Sequence, residues 1–156
     1  MKIQLISIGK TQDAYIKEGM DIFLNRLKHY GKFEYLELPL VKGAGKLPQD
    51  KLKTEEELRF LAQIDPSDWV VLLDERGKTY SSTRFAGQME SMFHKTARSV
   101  VFIIGGAYGF SDGMYQRANE KLALSEMTFS HQMVRLIALE QIYRAMTILK
   151  GEQYHH

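Results

Sequence analysis

The sequence predicts an α/β protein, a mostly parallel sheet with helices on both faces. Segments of strand character alternate with segments of helical period along the whole chain. Two apolar runs, Trp69-Val70-Val71-Leu72-Leu73 and Val100-Val101-Phe102-Ile103-Ile104, are unbroken, as strands covered on both faces are. Connections are short, and no repeat, low-complexity stretch or linker divides the 156 residues. A single domain over 1–156 is therefore expected.

The elements follow from pattern. Lys2 to Ile8 is rich in β-branched residues and stops at Gly9, which reads as a strand. Asp13 to Tyr30 places Ile16, Met20, Phe23, Leu27 and Tyr30 on one helix face, with Gly31 as the stop. Phe33 to Leu38 reads as a strand closed by Pro39. Val41 to Lys46 is a basic, glycine-containing loop whose Lys42 and Lys46 suit an anionic partner. Pro48 opens a helix over Gln49–Ile64, with Leu52, Leu58 and Leu61 inward and Glu55-Glu56-Glu57 outward. Trp69–Leu73 is a buried strand ending in a polar turn, Asp74 to Lys78. Ser81 or Ser82 caps a helix with Phe85, Met89, Met92 and Phe93 inward. Val100–Ile104 follows, then a short helix over Asp112–Glu120 capped by Ser111 or Asp112, and a short strand over Lys121–Leu124. A long helix over His131–Lys150 turns Val134, Ile137, Ala138, Ile142, Ala145 and Leu149 inward and ends at Gly151.

Composition narrows the class. There are no cysteines, which excludes a disulfide framework, thiol catalysis and thiolate metal sites. Hydrophobic residues at 44% and charged residues at 26% fit a soluble globular protein. A net charge of +2 permits a nucleic-acid partner without arguing for one. No apolar run approaches the roughly 20 residues that span a bilayer, and MKIQLISIGK reads as a first strand, not a signal peptide. A cytoplasmic protein without membrane association is expected.

Familiar motifs fail on spacing. Gly45-Lys46 lacks the glycine five residues upstream that a P-loop requires; Leu40 stands there. Gly105, Gly106 and Gly109 form G-G-x-x-G and miss the dinucleotide fingerprint. Gly109-Phe110-Ser111-Asp112-Gly113 matches G-x-S-x-G, but Gly105 to Tyr108 separate it from the strand that a nucleophile elbow must leave directly. The five histidines form no H-E-x-x-H, and no metal is expected. What remains is a candidate ligand site where strands end, at Leu73, Gly105–Gly109 and Leu124–Phe129. From these residues alone no reaction follows.

A further set of motifs carries a resemblance. The set comprises Ile3–Lys10, Leu72-Leu73-Asp74 with Gly77-Lys78, and Phe102 to Gly109. It continues with Leu124-Ser125-Glu126-Met127-Thr128-Phe129 plus His131 and Arg135, Glu140 to Ala145, and the terminal Tyr154-His155. Across the whole chain these resemble the small SPOUT-class methyltransferases that modify a pseudouridine in large-subunit ribosomal RNA (the large-subunit RNA methyltransferase H family). The resemblance implies a SPOUT α/β-knot fold with a C-terminal deep trefoil knot, a homodimer, S-adenosyl-L-methionine as cofactor, and methylation of N3 of a pseudouridine in 23S rRNA of the assembled ribosome. It places the cofactor on Leu73, Gly105, Leu124, Ser125, Glu126, Met127, Thr128 and Phe129. It further suggests His155 as a base for the N3 proton, Arg135 as a catalytic cation, and Arg144 and Tyr154 as substrate contacts. Methylation of another RNA, or a non-catalytic ribosome-associated role, remain as alternatives.

Overall fold

The computed structural model describes residues 2–156. Its elements are β1 (Lys2–Ile8), α1 (Ala14–Leu27), β2 (Lys32–Leu38), α2 (Gln49–Leu61), β3 (Trp69–Lys78), α3 (Ser82–Lys95), β4 (Ser99–Ile104), α4 (Asp112–Arg117), β5 (Glu120–Leu122) and α5 (Met133–Leu149). Short 3-10 turns cover Lys28–Tyr30 and Ala44–Lys46. The five strands form one sheet in the order β2-β1-β4-β3-β5, and every neighbouring pair is parallel. All five carboxyl ends therefore lie along one edge.

The pleat divides the core in two. Ile3, Leu5, Val71, Val100, Phe102 and Ile104 face α1, α3 and α5. Ile6, Ile8, Val70, Leu72, Val101 and Ile103 pack with Phe60 of α2, Phe110 of the loop after β4 and Met114 of α4. This two-sided burial is why the runs at 69–73 and 100–104 show no alternation of polar and apolar residues. Ser81 and Ser111 cap α3 and α4, accepting from the N–H groups of Arg84 and Met114.

Some local expectations are corrected. Helix α2 ends at Leu61, and Leu58 points to solvent while Phe60 is buried. Within the acidic run Glu56 is buried, not solvated. The Asp74–Lys78 stretch is a continuation of β3, not a turn that ends it: Leu73 and Lys78 both register with Leu122 across a bulge. The short strand lies at Glu120–Leu122, ahead of its expected place. Helix α5 starts at Met133, and its buried set includes Arg135, Leu139, Met146 and Thr147 as well as Ala138, Ile142 and Ala145. Its apolar face is wider than one stripe because α5 packs against both α1 and α3.

The bulge depends on Gly77. A Cβ there would stand 2.5 Å from the Leu122 backbone nitrogen and 2.6 Å from the Lys121 carbonyl carbon. Backbone cannot yield as a side chain can. Gly77→Ala is expected to cost about 1–3 kcal/mol by overpacking, read as a lower urea midpoint.

No helix among the described residues is long and apolar enough to cross a membrane.

Candidate active site

A cavity of about 440 Å³ opens at the carboxyl edge of the sheet, within the size range of small-molecule sites. Three chain segments wall it: the end of β3 from Leu73 to Arg76, the loop after β4 from Gly105 to Phe110, and the chain after β5 from Ala123 to Phe129. Lys53, Ile104, Tyr115, Leu122, His131 and Val134 complete the lining. The structure thus brings together Leu73, Gly105, Leu124, Ser125, Met127, Thr128 and Phe129. Glu126 belongs to the same run but is not on the lining.

The segments are irregular for physical reasons. Residues 124–129 form no helix or strand, and the Met127 N–H turns back to Ser125 Oγ at 3.0 Å. Peptide groups freed from a ladder are available to a ligand. The loop after β4 closes on itself, with the Gly109 N–H donating to the Gly106 carbonyl at 3.2 Å. Glu56 of α2 packs against Gly106, where a Cβ would lie 2.2 Å from a carboxylate oxygen. Burial raises the Glu56 pKa above the ordinary carboxylate range, against the pull of Arg59. Sequence reasoning missed Glu56 because it sits inside a run of three glutamates. At the other wall, Tyr115 donates its hydroxyl to Asp74. Burial, then Asp74, pushes the Tyr115 pKa up to about 12. Arg76 and Lys121 stand over its ring at 5.7 and 5.5 Å.

His131 is a second cavity residue that sequence reasoning misses. It lies on the lining at the entry to α5. Partial desolvation against the cavity wall first, and then the Arg135 guanidinium, lower its pKa from 6.5, though the residue as a whole is exposed. The unfolded chain then binds the proton more readily. Stability should fall as pH drops from about 6.5 toward the lower folded value. A His131→Asn protein is expected to show a flatter dependence of its urea midpoint over that window.

Arg135 is not on the cavity lining. Its side chain is 3% exposed, and its donors all go to the protein. Nη1 donates to the Gly9 carbonyl at 2.9 Å, Thr11 Oγ1 at 2.9 Å and Glu37 Oε2 at 3.2 Å. Nη2 donates to the Ile8 carbonyl at 3.0 Å and Nε to the His131 carbonyl at 3.1 Å. Through these bonds Arg135 is a strut between the end of β1 and the turn before α5. Gln132 doubles the tie, accepting from the Gln12 N–H at 2.6 Å and donating to the Lys10 carbonyl at 3.3 Å.

The remaining expected residues lie together elsewhere. Arg144 pairs with Glu140 at 2.6 Å, and Tyr154 donates to the same Glu140 oxygen at 3.0 Å. The Arg144 guanidinium covers the Tyr154 ring at 4.8 Å and reaches His155 Nδ1 at 3.1 Å. A guanidinium nitrogen only donates, so Nδ1 is the acceptor and a neutral ring carries its proton on Nε2. This cluster sits toward the far end of α5 from the cavity. Val134 lines the cavity and Arg144 is ten residues further on, about 15 Å along the helix. Lys42 and Lys46 are exposed in the loop after β2 and are not on the lining. No group of three or more His, Asp or Glu residues among those described is arranged to hold a metal ion.

A parallel sheet whose carboxyl-edge loops wall one cavity is the arrangement in which α/β proteins bind small ligands. Comparison identifies the kind. The family described as Predicted SPOUT methyltransferase matches residues 1–155, and the chain belongs to it. Ribosomal RNA large subunit methyltransferase H of Cytophaga hutchinsonii is 55% identical over 100% of both chains. The protein of the same name from Parabacteroides distasonis is 48% identical over 100% of this chain and 99% of its own. Among solved structures, a probable methylase family protein from Haemophilus influenzae superposes with a TM-score of 0.51 at 11% identity, covering 99% of this chain and 70% of that one. That likeness concerns the fold alone.

Proposed function

We propose that this chain is an S-adenosyl-L-methionine-dependent methyltransferase that acts on N3 of a pseudouridine in 23S ribosomal RNA of the assembled ribosome. The observation that carries the reading is the cavity walled by Leu73, Gly105 and the run from Leu124 to Phe129, in a chain of this family. The residues fit the cofactor chemically. Unladdered peptide groups suit the donors and acceptors of an adenine and an amino acid, and close glycine backbone suits flat approach. When bound, the cofactor supplies an electrophilic methyl group on a sulfonium. The chain would hold it through Leu73, Gly105, Leu124, Ser125, Met127, Thr128 and Phe129, with Glu126 in the same run but turned off the lining. Its remaining task is to hold the pyrimidine ring in line and manage the N3 proton. Such positioning is worth up to about 7–11 kcal/mol.

The protein acts as a homodimer, on this reading, because Arg144, Tyr154 and His155 lie far along α5 from the cavity of their own protomer. A second copy brings its tail to that cavity. His155, with Nδ1 held by Arg144, presents a protonated Nε2 that donates to the ring as it becomes anionic. It serves as a base only once Arg144 releases Nδ1. The chain is a single domain working in the cytoplasm. The segment from β5 through α5 runs back from the sheet edge to lie between α1 and α3, a path that suits the deep trefoil knot of the proposed fold.

Mass mapping of 23S rRNA from a deletion strain, with and without the restored gene, tests the reading. N3-methylpseudouridine is expected to vanish and return. A different lost modification would redirect the activity to another nucleotide or RNA. No lost modification, with cofactor binding intact by calorimetry, would leave a non-catalytic role.

A further inference from the structure

A second cavity, of about 490 Å³, lies where α1 and α5 end. Its lining is Arg26, His29, Tyr30, Tyr143, Lys150 and Glu152. Arg26, His29 and Lys150 are exposed, and among the described residues none of them forms an ion pair. The only lining carboxylate, Glu152, is engaged by the Tyr30 hydroxyl at 2.5 Å. The Arg26 guanidinium stands over Phe23 at 5.4 Å and over Tyr143 at 5.5 Å. A stacked guanidinium keeps its in-plane N–H donors free, the geometry that grips phosphate oxygens.

This concavity is continuous with the tail cluster. Tyr143 lies in its wall and meets Tyr154 edge-on at 4.8 Å. Cations at helix C-termini also complement the helix dipoles. That accounts for Arg26 and Lys150 singly, but not for two unpaired cations and an exposed imidazole gathered round one hollow beside Tyr154 and His155.

We propose that this hollow is a track for the ribosomal RNA strand next to the target nucleotide, with Arg26 and Lys150 each holding a backbone phosphate and His29 as a third donor. The inference rests on the RNA-methylation reading above, since it takes the tail cluster as the place where the target nucleotide sits. It assigns affinity for the substrate to residues outside the cofactor cavity.

The test is binding of 70S ribosomes across a range of KCl concentration, without methyl donor, for wild type, Arg26→Gln, Lys150→Gln and the double variant. Lys17→Gln, on the outer side of α1, is the charge control. The double variant should show a log–log salt slope shallower by roughly 1.4–1.8, at about 0.7–0.9 per lost phosphate contact. Thermal midpoint and cofactor affinity should not change. An unchanged slope overturns the track. A lowered midpoint with the slope intact would give the cations to the helix dipoles instead. An equal loss of slope in Lys17→Gln would reduce the effect to net charge and also overturn it. If the double variant shows the shallower slope and wild type, once S-adenosyl-L-methionine is added, still leaves the pseudouridine unmethylated, the methylation reading fails and the track stands.

Discussion

Arg135→Met is expected to destabilise the protein by about 3–5 kcal/mol, the range for removing one partner of a buried ion pair. Methionine fills part of the volume but donates nothing. The carbonyls of Ile8, Gly9 and His131 and the Thr11 hydroxyl lose their guanidinium donor. Glu37 loses its cation. Arg135→Lys should recover only part of the loss, because one ammonium cannot reach all five acceptors in a planar fork. Urea denaturation reads the cost, and calorimetry should show weaker cofactor binding, since the tied turn lies next to Phe129 and His131. A variant with an unchanged urea midpoint and a collapsed kcat would restore the direct catalytic role expected from the motif.

The same network carries a pH dependence. Burial raises the Glu37 pKa, but hydrogen bonds from Thr11 and Tyr35 and the charge of Arg135 outweigh it, so the net shift is downward from 4.5. A depressed carboxylate stabilises the native state above the unfolded value. That contribution is lost as pH falls from about 4.5 through the lower folded value. Glu37→Gln should therefore be less stable than wild type at neutral pH, with the gap closing in acid.

The second large effect concerns the tail. Deleting residues 154–156, or replacing His155 by alanine, is expected to lower kcat by about 10²–10⁴-fold, the range for losing a positioned proton-handling group. Cofactor affinity should stay at the wild-type value, because none of the residues proposed to hold the cofactor belongs to the tail. Dimerisation makes a sharper demand. A Gly106→Leu protomer, whose side chain would collide with Glu56, has a spoiled cavity and an intact tail. Mixed with the tail-deleted chain, it forms heterodimers holding one intact cavity beside one intact tail. Activity should reappear on mixing two inactive proteins. If mixing restores nothing while heterodimers form, each site is built within one chain and the composite site is wrong.

Much of this protein is legible in its sequence. The strands and helices are local facts of pattern. The continuous apolar runs at 69–73 and 100–104 announce a sheet covered on both faces. The glycines after Ile104 and the unpatterned run from Leu124 to Phe129 mark where regular structure stops. These signals fail at element ends and faces, as with Leu58 on α2 and the wide apolar face of α5. There the neighbours, not the helix's own period, decide what is buried.

What the sequence by itself determined is the class of sheet, its two-faced core, and the carboxyl-edge loops that come to wall one cavity, because each rests on short-range periodicity and backbone chemistry. Only the tertiary structure decided the roles of single charged residues. Arg135 has the sequence signature of a site cation, yet its partners at Ile8, Gly9, Thr11 and Glu37 are about a hundred positions away or more. Glu56 looks solvated until α2 is laid against Gly106. His155 is expected beside the reacting ring, yet the length of α5 separates it from the cavity of its own protomer. A charge reports its role through what surrounds it, and in these three cases the surroundings come from distant parts of the chain.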